Sequence, residues 1–191
     1  AERYALLAPT LSYAEISDLF KEWNQGAEGS YLLEITAAIF NKKENGDYLL
    51  DFILDKAGNK GTGSWSVKAA YDLGSVNTLM SAAVFARYVS AYKVQRVALA
   101  ERYQQLGSAK KNPAAAIDLN VLKQAYQFAR IVNHQQGFAV MQAASEQFQW
   151  QLNFAEIARI WTNGCIIRSK LMERCSQLFK TQTSILADDY F

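Results

Sequence analysis

Asn59-Lys60-Gly61-Thr62-Gly63-Ser64-Trp65 is the stretch whose residue types best suit chemistry. Its two glycines let the backbone turn tightly and expose N–H groups. Thr62 stands where a helix would start, and a helix N-terminus attracts anions because its first N–H groups have no intrahelical partner. Lys60 adds a full positive charge and Thr62 a hydroxyl. These are half of a phosphate site. The spacing is not that of a G-x-x-x-x-G-K-[ST] P-loop. The same residues also suit a plain Gly-rich turn with a capping Thr, and spacing alone favours that plainer reading.

Arg87 follows Ala82-Ala83-Val84-Phe85-Ala86, one of the most apolar stretches of the chain. A guanidinium there needs a partner, because an unpaired buried charge is costly. Its fork would hold a carboxylate or a phosphate. The alternative is an Arg that snorkels to the surface or pairs with Asp72 or Glu101, and Arg87 taken alone favours it. In Trp161-Thr162-Asn163-Gly164-Cys165-Ile166-Ile167-Arg168-Ser169, Arg168 could bind an anion or cap a neighbouring helix. A packing role suits that segment better, and Cys165 reads as a buried structural thiol. His134 falls inside a long helical pattern with no named partner for base chemistry.

The elements that must position these groups are helical throughout. Period-2 alternation is nearly absent, and the 3.6 period recurs along the chain. Ser12 and Glu15 form a capping box before Ile16, Leu19, Phe20 and Trp23. Ser30 caps a helix carrying Leu33, Ala37 and Phe40. An Asn45-Gly46-Asp47 turn precedes a short helix over 49–54. Thr62 caps a helix over 64–73, which Gly74 ends. Asn77 opens a longer helix running to about Leu106. A short linker covers 107–113. Asp118 caps a helix to Phe148, with apolar positions around most of its circumference, and this helix is expected to be central to the core. Asn153 starts another, Gly164 interrupts it, and a last helix reaches about Phe179. No repeat with a period of 20–50 residues is visible. The reading is one all-α domain over 1–191.

Composition bounds the function. Half of the 191 residues are apolar, the net charge is +2, and there are only two prolines. This excludes a disordered chain and gives no electrostatic reason to expect nucleic acid. No apolar run approaches the ~20 residues of a membrane span. Two cysteines and one histidine make a Cys/His zinc site a poor fit. Unbridged thiols suit a reducing, cytoplasmic setting. No G-x-G-x-x-G follows a strand, and there is no G-x-S-x-G or H-E-x-x-H.

Read in order, the segments Glu22-Trp23-Asn24, Glu34-Ile35-Thr36, Ala57-Gly58-Asn59-Lys60-Gly61-Thr62-Gly63-Ser64-Trp65, Phe85-Ala86-Arg87, Gln136-Gly137-Phe138, the Trp161 motif and Leu186-Ala187-Asp188-Asp189-Tyr190-Phe191 follow one pattern. They resemble the large helical domain of 6-phosphogluconate dehydrogenase. That domain carries E-W-N, E-I-T, A-G-x-K-G-T-G-x-W, F-A-R, an A-Q-G-F-like segment, W-x-x-G-C-I-I-R-S and L-x-D-x-F. The resemblance covers essentially the whole chain.

The resemblance implies an NADP-dependent oxidative decarboxylase of the pentose phosphate pathway and of gluconate utilization. It would oxidise 6-phosphogluconate at C3, release CO2 and give ribulose 5-phosphate. It would act as a homodimer, with Trp161, Ile166 and Ile167 supplying apolar area. In the family, the residues matching Lys60, Thr62 and Arg87 bind the substrate phosphate. The chain departs from the pattern at Ser64 and Ser66, where Lys and Thr are usual, and at Thr162-Asn163, where Arg-Gly or Lys-Gly is usual. These departures bear on substrate affinity rather than on membership.

The family's Rossmann domain and its K-x-x-x-N-x-x-E segment are expected upstream of Ala1. The tail that reaches the partner subunit is expected after Phe191. No catalytic role is therefore assigned here, and Glu34, Glu101 and Glu146 are not promoted to one. The rival reading is a non-catalytic helical module for dimerisation or sugar-phosphate sensing. A related β-hydroxyacid dehydrogenase acting on an unphosphorylated substrate is disfavoured, because that group lacks the K-G-T-G loop.

Overall fold

Glu15 turns back on Ser12, and that local exchange begins the first long helix. Ser12 Oγ accepts from Glu15 N at 3.3 Å, and the Glu15 carboxylate accepts from Ser12 N at 2.7 Å. The Ser12 backbone N–H, and after it the Ser12 hydroxyl, donate to the Glu15 carboxylate and hold its carboxyl below the usual range. The computed structural model describes residues 2–106 and 117–188, with residues 2–4 as backbone only. The expected 107–113 linker and Asp189-Tyr190-Phe191 lie outside the described residues.

Among the described residues the fold is all-α. The helices are α1 (Glu2–Leu7), α2 (Tyr13–Gln25), α3 (Tyr31–Asn41), α4 (Thr62–Asp72), α5 (Thr78–Ala91), α6 (Lys93–Gln105), α7 (Leu119–Phe148), α8 (Phe154–Ile160) and α9 (Lys170–Leu178). Short 3-10 turns cover Leu49–Phe52 and Ile185–Ala187. Side-chain caps stand where the sequence places them: Ser30 accepts from Leu33 N, Asp118 from Asn120 N and Val121 N, and Asn153 from Glu156 N. Each such cap is worth about 1 kcal/mol.

Three expectations change. The Asn45-Gly46 turn closes a minimal hairpin, in which β1 (Lys43–Glu44) pairs antiparallel with β2 (Asp47–Tyr48). Asn45 and Gly46 both have positive φ, which a two-residue hairpin turn requires. The long helix expected from Asn77 breaks at Tyr92 into α5 and α6, with no Gly or Pro at the break. There Arg96 donates to Ser90 O at 3.1 Å, satisfying a carbonyl near the end of α5. No helix forms just after Gly164; the chain turns until Ser169, whose hydroxyl accepts from Met172 N to cap α9.

Two apolar clusters share α7. In the first, Ile16, Phe20 and Trp23 of α2 meet Leu33, Ala37 and Phe40 of α3, with Leu7 and Leu122. Phe20 packs on Trp23 and Phe40 at 5.7 and 5.8 Å, and Trp23 stacks on Tyr126 of α7. Burial of side chains such as Ile16, Phe20 and Leu33 stabilises by about 1.5–3 kcal/mol each. The buried Ser17 hydroxyl between these helices is satisfied: Ser17 Oγ donates to Ala37 O and accepts from Asn41 Nδ2. In the second cluster, Ile131 and Phe138 of α7 pack on Ala158, Leu171, Met172, Cys175 and Ile185. Phe138 is surrounded by Phe154, Trp161 and Phe179. The central place of α7 is borne out. Its burial is narrower than expected, since Val121 and Phe128 are exposed.

The α8–α9 pair echoes the α2–α3 pair. Ser12-Tyr13-Ala14-Glu15-Ile16 matches Asn153-Phe154-Ala155-Glu156-Ile157, and Ser30-Tyr31-Leu32-Leu33-Glu34 matches Ser169-Lys170-Leu171-Met172-Glu173. The two matching caps meet in an antiparallel bridge: Tyr31 N donates to Arg168 O at 3.1 Å, and Lys170 N donates to Gly29 O at 3.0 Å. The bridge ties the start of α3 to the start of α9.

Candidate functional site

Gly61 sets the entry to α4. It is the N-cap, in the left-handed region at φ 93°, and it offers no side chain to the helix. Thr62 is therefore the first helical residue and not the cap that its sequence position suggested. The leading N–H groups of α4 are left without a side-chain cap, which is the condition under which a helix start receives an anion. Asn59 Oδ1 accepts from Gly61 N at 2.8 Å, and Ser64 Oγ donates to Gly61 O at 2.7 Å, which fixes the turn.

Helix α5 approaches this turn closely. A Cβ on Gly63 would stand 2.9 Å from Val84 Cγ2, so only glycine permits the contact. Helix α5 is itself held by α7. Gln136 Oε1 accepts from Leu79 N at 3.0 Å, and Gln136 Nε2 donates to Thr78 Oγ1 at 2.9 Å. Asn77 occupies the N-cap position of α5 without making a cap bond. The cap comes instead from a residue far along the chain.

Arg87 projects from α5 across the loop, where its Nη2 donates to Gly58 O. Arg87 is exposed, and neither Asp72 nor Glu101 is its partner among the described residues. Lys60 and Thr62 are exposed as well. Among the described residues, neither the Lys60 ammonium nor the Thr62 hydroxyl has a hydrogen-bond or ion-pair partner. The structure thus places Lys60, Thr62 and Arg87 at one loop–helix junction. Sequence reading missed Ser90, whose Oγ accepts from Ala57 N at 3.0 Å and donates to Arg87 O at 2.6 Å. It also missed Gln136 as the cap of α5. A Ser three residues after an Arg on a helix gives no signal until the loop is seen against it.

The other residues weighed for chemistry lie elsewhere. Arg168 sits over the Tyr31 ring, 4.2 Å from its centroid, and 3.9 Å from Glu34. It packs the start of α3. Glu146 accepts from Gln142. Cys165 is half-buried, contrary to the buried thiol expected, because it lies in the turn before α9 and not on a helix. Cys175 is the buried one, and burial pushes its thiol up to about 12. Among the described residues no group of three or more His, Cys, Asp and Glu could hold a metal ion, and no helix is long and apolar enough to cross a membrane.

His134 lines a cavity of about 420 Å³ with Asn77, Met80, Phe138, Met141 and Trp161. Its Nδ1 is 2.7 Å from Arg130 O. Burial holds its pKa below the usual 6.5, more strongly than the Arg130 carbonyl raises it. The folded state therefore binds fewer protons than the unfolded state below pH 6.5. Stability is full above that pH and falls as pH drops toward the lower folded value. The urea midpoint is expected to fall between pH 8 and pH 5.5, and His134→Gln is expected to reduce that fall. An unchanged pH dependence in the variant would show that His134 is not its source.

The whole sequence, residues 1–191, matches the family described as 6-phosphogluconate dehydrogenase, C-terminal domain. The chain belongs to the 6-phosphogluconate dehydrogenase family. It is 42% identical over 190 residues to the decarboxylating 6-phosphogluconate dehydrogenase of Salmonella typhimurium, covering 97% of this chain and 40% of that protein. It is 40% identical over 206 residues to the enzyme of the same name from Escherichia coli K12, covering all of this chain and 43% of that protein. The solved 6-phosphogluconate dehydrogenase of Plasmodium falciparum, studied in its apo form, with its cofactor NADP+ and with its substrate 6-phosphogluconate, matches with a TM-score of 0.87 and 33% identity. That match covers all of this chain and 42% of the other. The chain thus spans about two-fifths of the length of these 6-phosphogluconate dehydrogenases.

Proposed function

We propose that this chain is the substrate-binding and dimerisation domain, a single all-helical unit over 1–191, of a cytoplasmic NADP-dependent 6-phosphogluconate dehydrogenase. The complete enzyme would oxidise 6-phospho-D-gluconate and release CO2 to give ribulose 5-phosphate in the pentose phosphate pathway. The observation that carries this reading is the junction of the 58–62 loop with α5. An uncapped helix start, Lys60, the Thr62 hydroxyl and Arg87 lie there together, in a family whose members act on a phosphorylated sugar acid. A dianion suits that combination of two cations and free N–H groups.

The described residues form no dinucleotide fold. Their only strands are the two-residue pair β1–β2, with no βαβ crossover to carry a dinucleotide. We assign the cofactor, and the acid and base of the reaction, to the part of the relatives' length that this chain does not span. The role left to these residues is to hold the phosphate and so fix the sugar acid's position. The exposed apolar side chains Trp65, Tyr71, Phe85 and Val94 on α4, α5 and α6 support an interface with a second copy or a further domain. Of the residues expected to supply a dimer contact, Ile166 is exposed, while Trp161 and Ile167 are half-buried against the second cluster.

Titration of the 191-residue chain with 6-phosphogluconate and with gluconate tests the reading. The site is exposed and screened by solvent, so binding of the phosphorylated acid is expected near millimolar, about −4 kcal/mol. Gluconate is expected to bind far more weakly. Equal binding of the two would remove the phosphate from the account.

A further inference from the structure

We propose that Asp55 is a positioning residue for the phosphate loop: held by Lys93 and Arg96, its carboxylate clamps the 55–61 segment onto the α5–α6 junction and so sets where Lys60 and Gly61 stand relative to Arg87. The inference rests on the phosphate reading of Lys60, Thr62 and Arg87 given above.

The anchors converge on a short stretch of chain. Lys93 Nζ donates to Asp55 Oδ1, and Arg96 Nη1 donates to Asp55 Oδ2 at 3.0 Å. Arg96 Nη2 donates both to Asp55 O and to Ser90 O, each at 3.1 Å. One guanidinium therefore joins the start of the loop to the last turn of α5. Ser90 Oγ then accepts from Ala57 N, and Arg87 reaches Gly58 O. Residues 55, 57 and 58 are each tied to α5 or α6 just before Lys60. The break at Tyr92 makes this possible. Lys93 and Arg96 stand one turn apart at the start of α6 and share a face.

Two cations grip one carboxylate, so the clamp retains a net positive charge beside Lys60 and Arg87. The Lys93 hydrogen bond, then the Arg96 one, pull the Asp55 carboxyl down to about 2, so it stays ionised at any working pH. Asp55 and Lys93 are about half exposed. Exposed ion pairs contribute little to stability. The clamp's contribution is therefore geometric, and that separates it from a folding role.

The test compares Asp55→Asn, Asp55→Glu and Lys60→Ala in the 191-residue chain. It reads 6-phosphogluconate binding by NMR titration, amide exchange at Ala57 and the melting temperature. Asp55→Asn is expected to weaken 6-phosphogluconate binding about tenfold, the scale of one charged hydrogen bond. Exchange at Ala57 is expected to rise while melting stays within about 2 °C. Asp55→Glu, which keeps the charge, is expected to recover most of the affinity. Native affinity in Asp55→Asn, alongside a loss in Lys60→Ala, would overturn the clamp and leave the phosphate reading standing. Native affinity in both variants would overturn the phosphate reading itself. A fall in melting that tracks the loss of binding, unrelieved by Asp55→Glu, would make Asp55 a folding residue and also overturn the proposal.

Discussion

Arg87→Ala, in the complete enzyme proposed here, is expected to weaken 6-phosphogluconate binding by about 10- to 150-fold. That range is a charged hydrogen bond of roughly 1.5–3 kcal/mol converted to affinity. Two losses act together. The phosphate would lose a planar fork that can hold two of its oxygens. The loop would lose the donor to Gly58 O that ties it to α5. Lys60→Ala is expected to act in the same direction through charge alone. Arg87→Lys is expected to recover only part of the loss, because an ammonium cannot reproduce the fork. Gluconate kinetics are expected to change far less in every variant. Comparing kcat/KM for the two substrates gives the answer, and equal losses for both would mean that Arg87 does not read the phosphate.

The 191-residue chain alone is expected to show no dehydrogenase turnover. Hydride transfer needs a nicotinamide held against the substrate, and among the described residues no dinucleotide fold exists to hold one. Proton transfer needs an acid and a base within hydrogen-bond reach of the sugar carbons. Glu34, Glu101 and Glu146 are not assigned these roles; Glu34 lies beside Arg168, and Glu146 takes a bond from Gln142. Purified chain, mixed with 6-phosphogluconate and NADP, is expected to give no rise in NADPH absorbance above a protein-free control. Turnover that stays with the chain through purification and vanishes in Lys60→Ala would contradict this division of labour.

Much of this architecture was legible because it is local. Ser12, Ser30, Asp118 and Asn153 all cap the helices they precede, since each bond spans only two or three residues. The apolar stripe Ile16, Phe20, Trp23 needed only the helical period. What stayed hidden depends on distant partners. The break at Tyr92 has no Gly or Pro to announce it, and the Arg96 bonds that accompany it reach back to Ser90 and Asp55. The cap of α5 belongs to Gln136 on α7, not to Asn77. The likeness of α2–α3 to α8–α9 is spread over the length of the chain and becomes plain where Ser30 meets Ser169.

At the site, the contrast is the same. Lys60, Thr62 and Arg87 could be picked out by type and motif. Of the alternatives for Arg87, the structure takes the surface one: its side chain is exposed, but it reaches a loop carbonyl and not Asp72 or Glu101. The sequence position of Thr62 suits a cap, but the left-handed Gly61 takes that position and leaves the helix start open. That difference strengthens the phosphate reading, because a self-capped helix would have fewer N–H groups to offer.

The most direct measurement is a backbone-amide NMR map of the 191-residue chain titrated with 6-phosphogluconate. The largest shifts are expected on Gly61, Thr62, Gly63 and Ser64, with the Arg87 side-chain Nε–H moving with them, and gluconate at the same concentration is expected to leave them in place. Shifts centred instead on the Ser30–Ser169 bridge or the His134 cavity, with the Gly61–Ser64 amides unmoved, would contradict the phosphate reading.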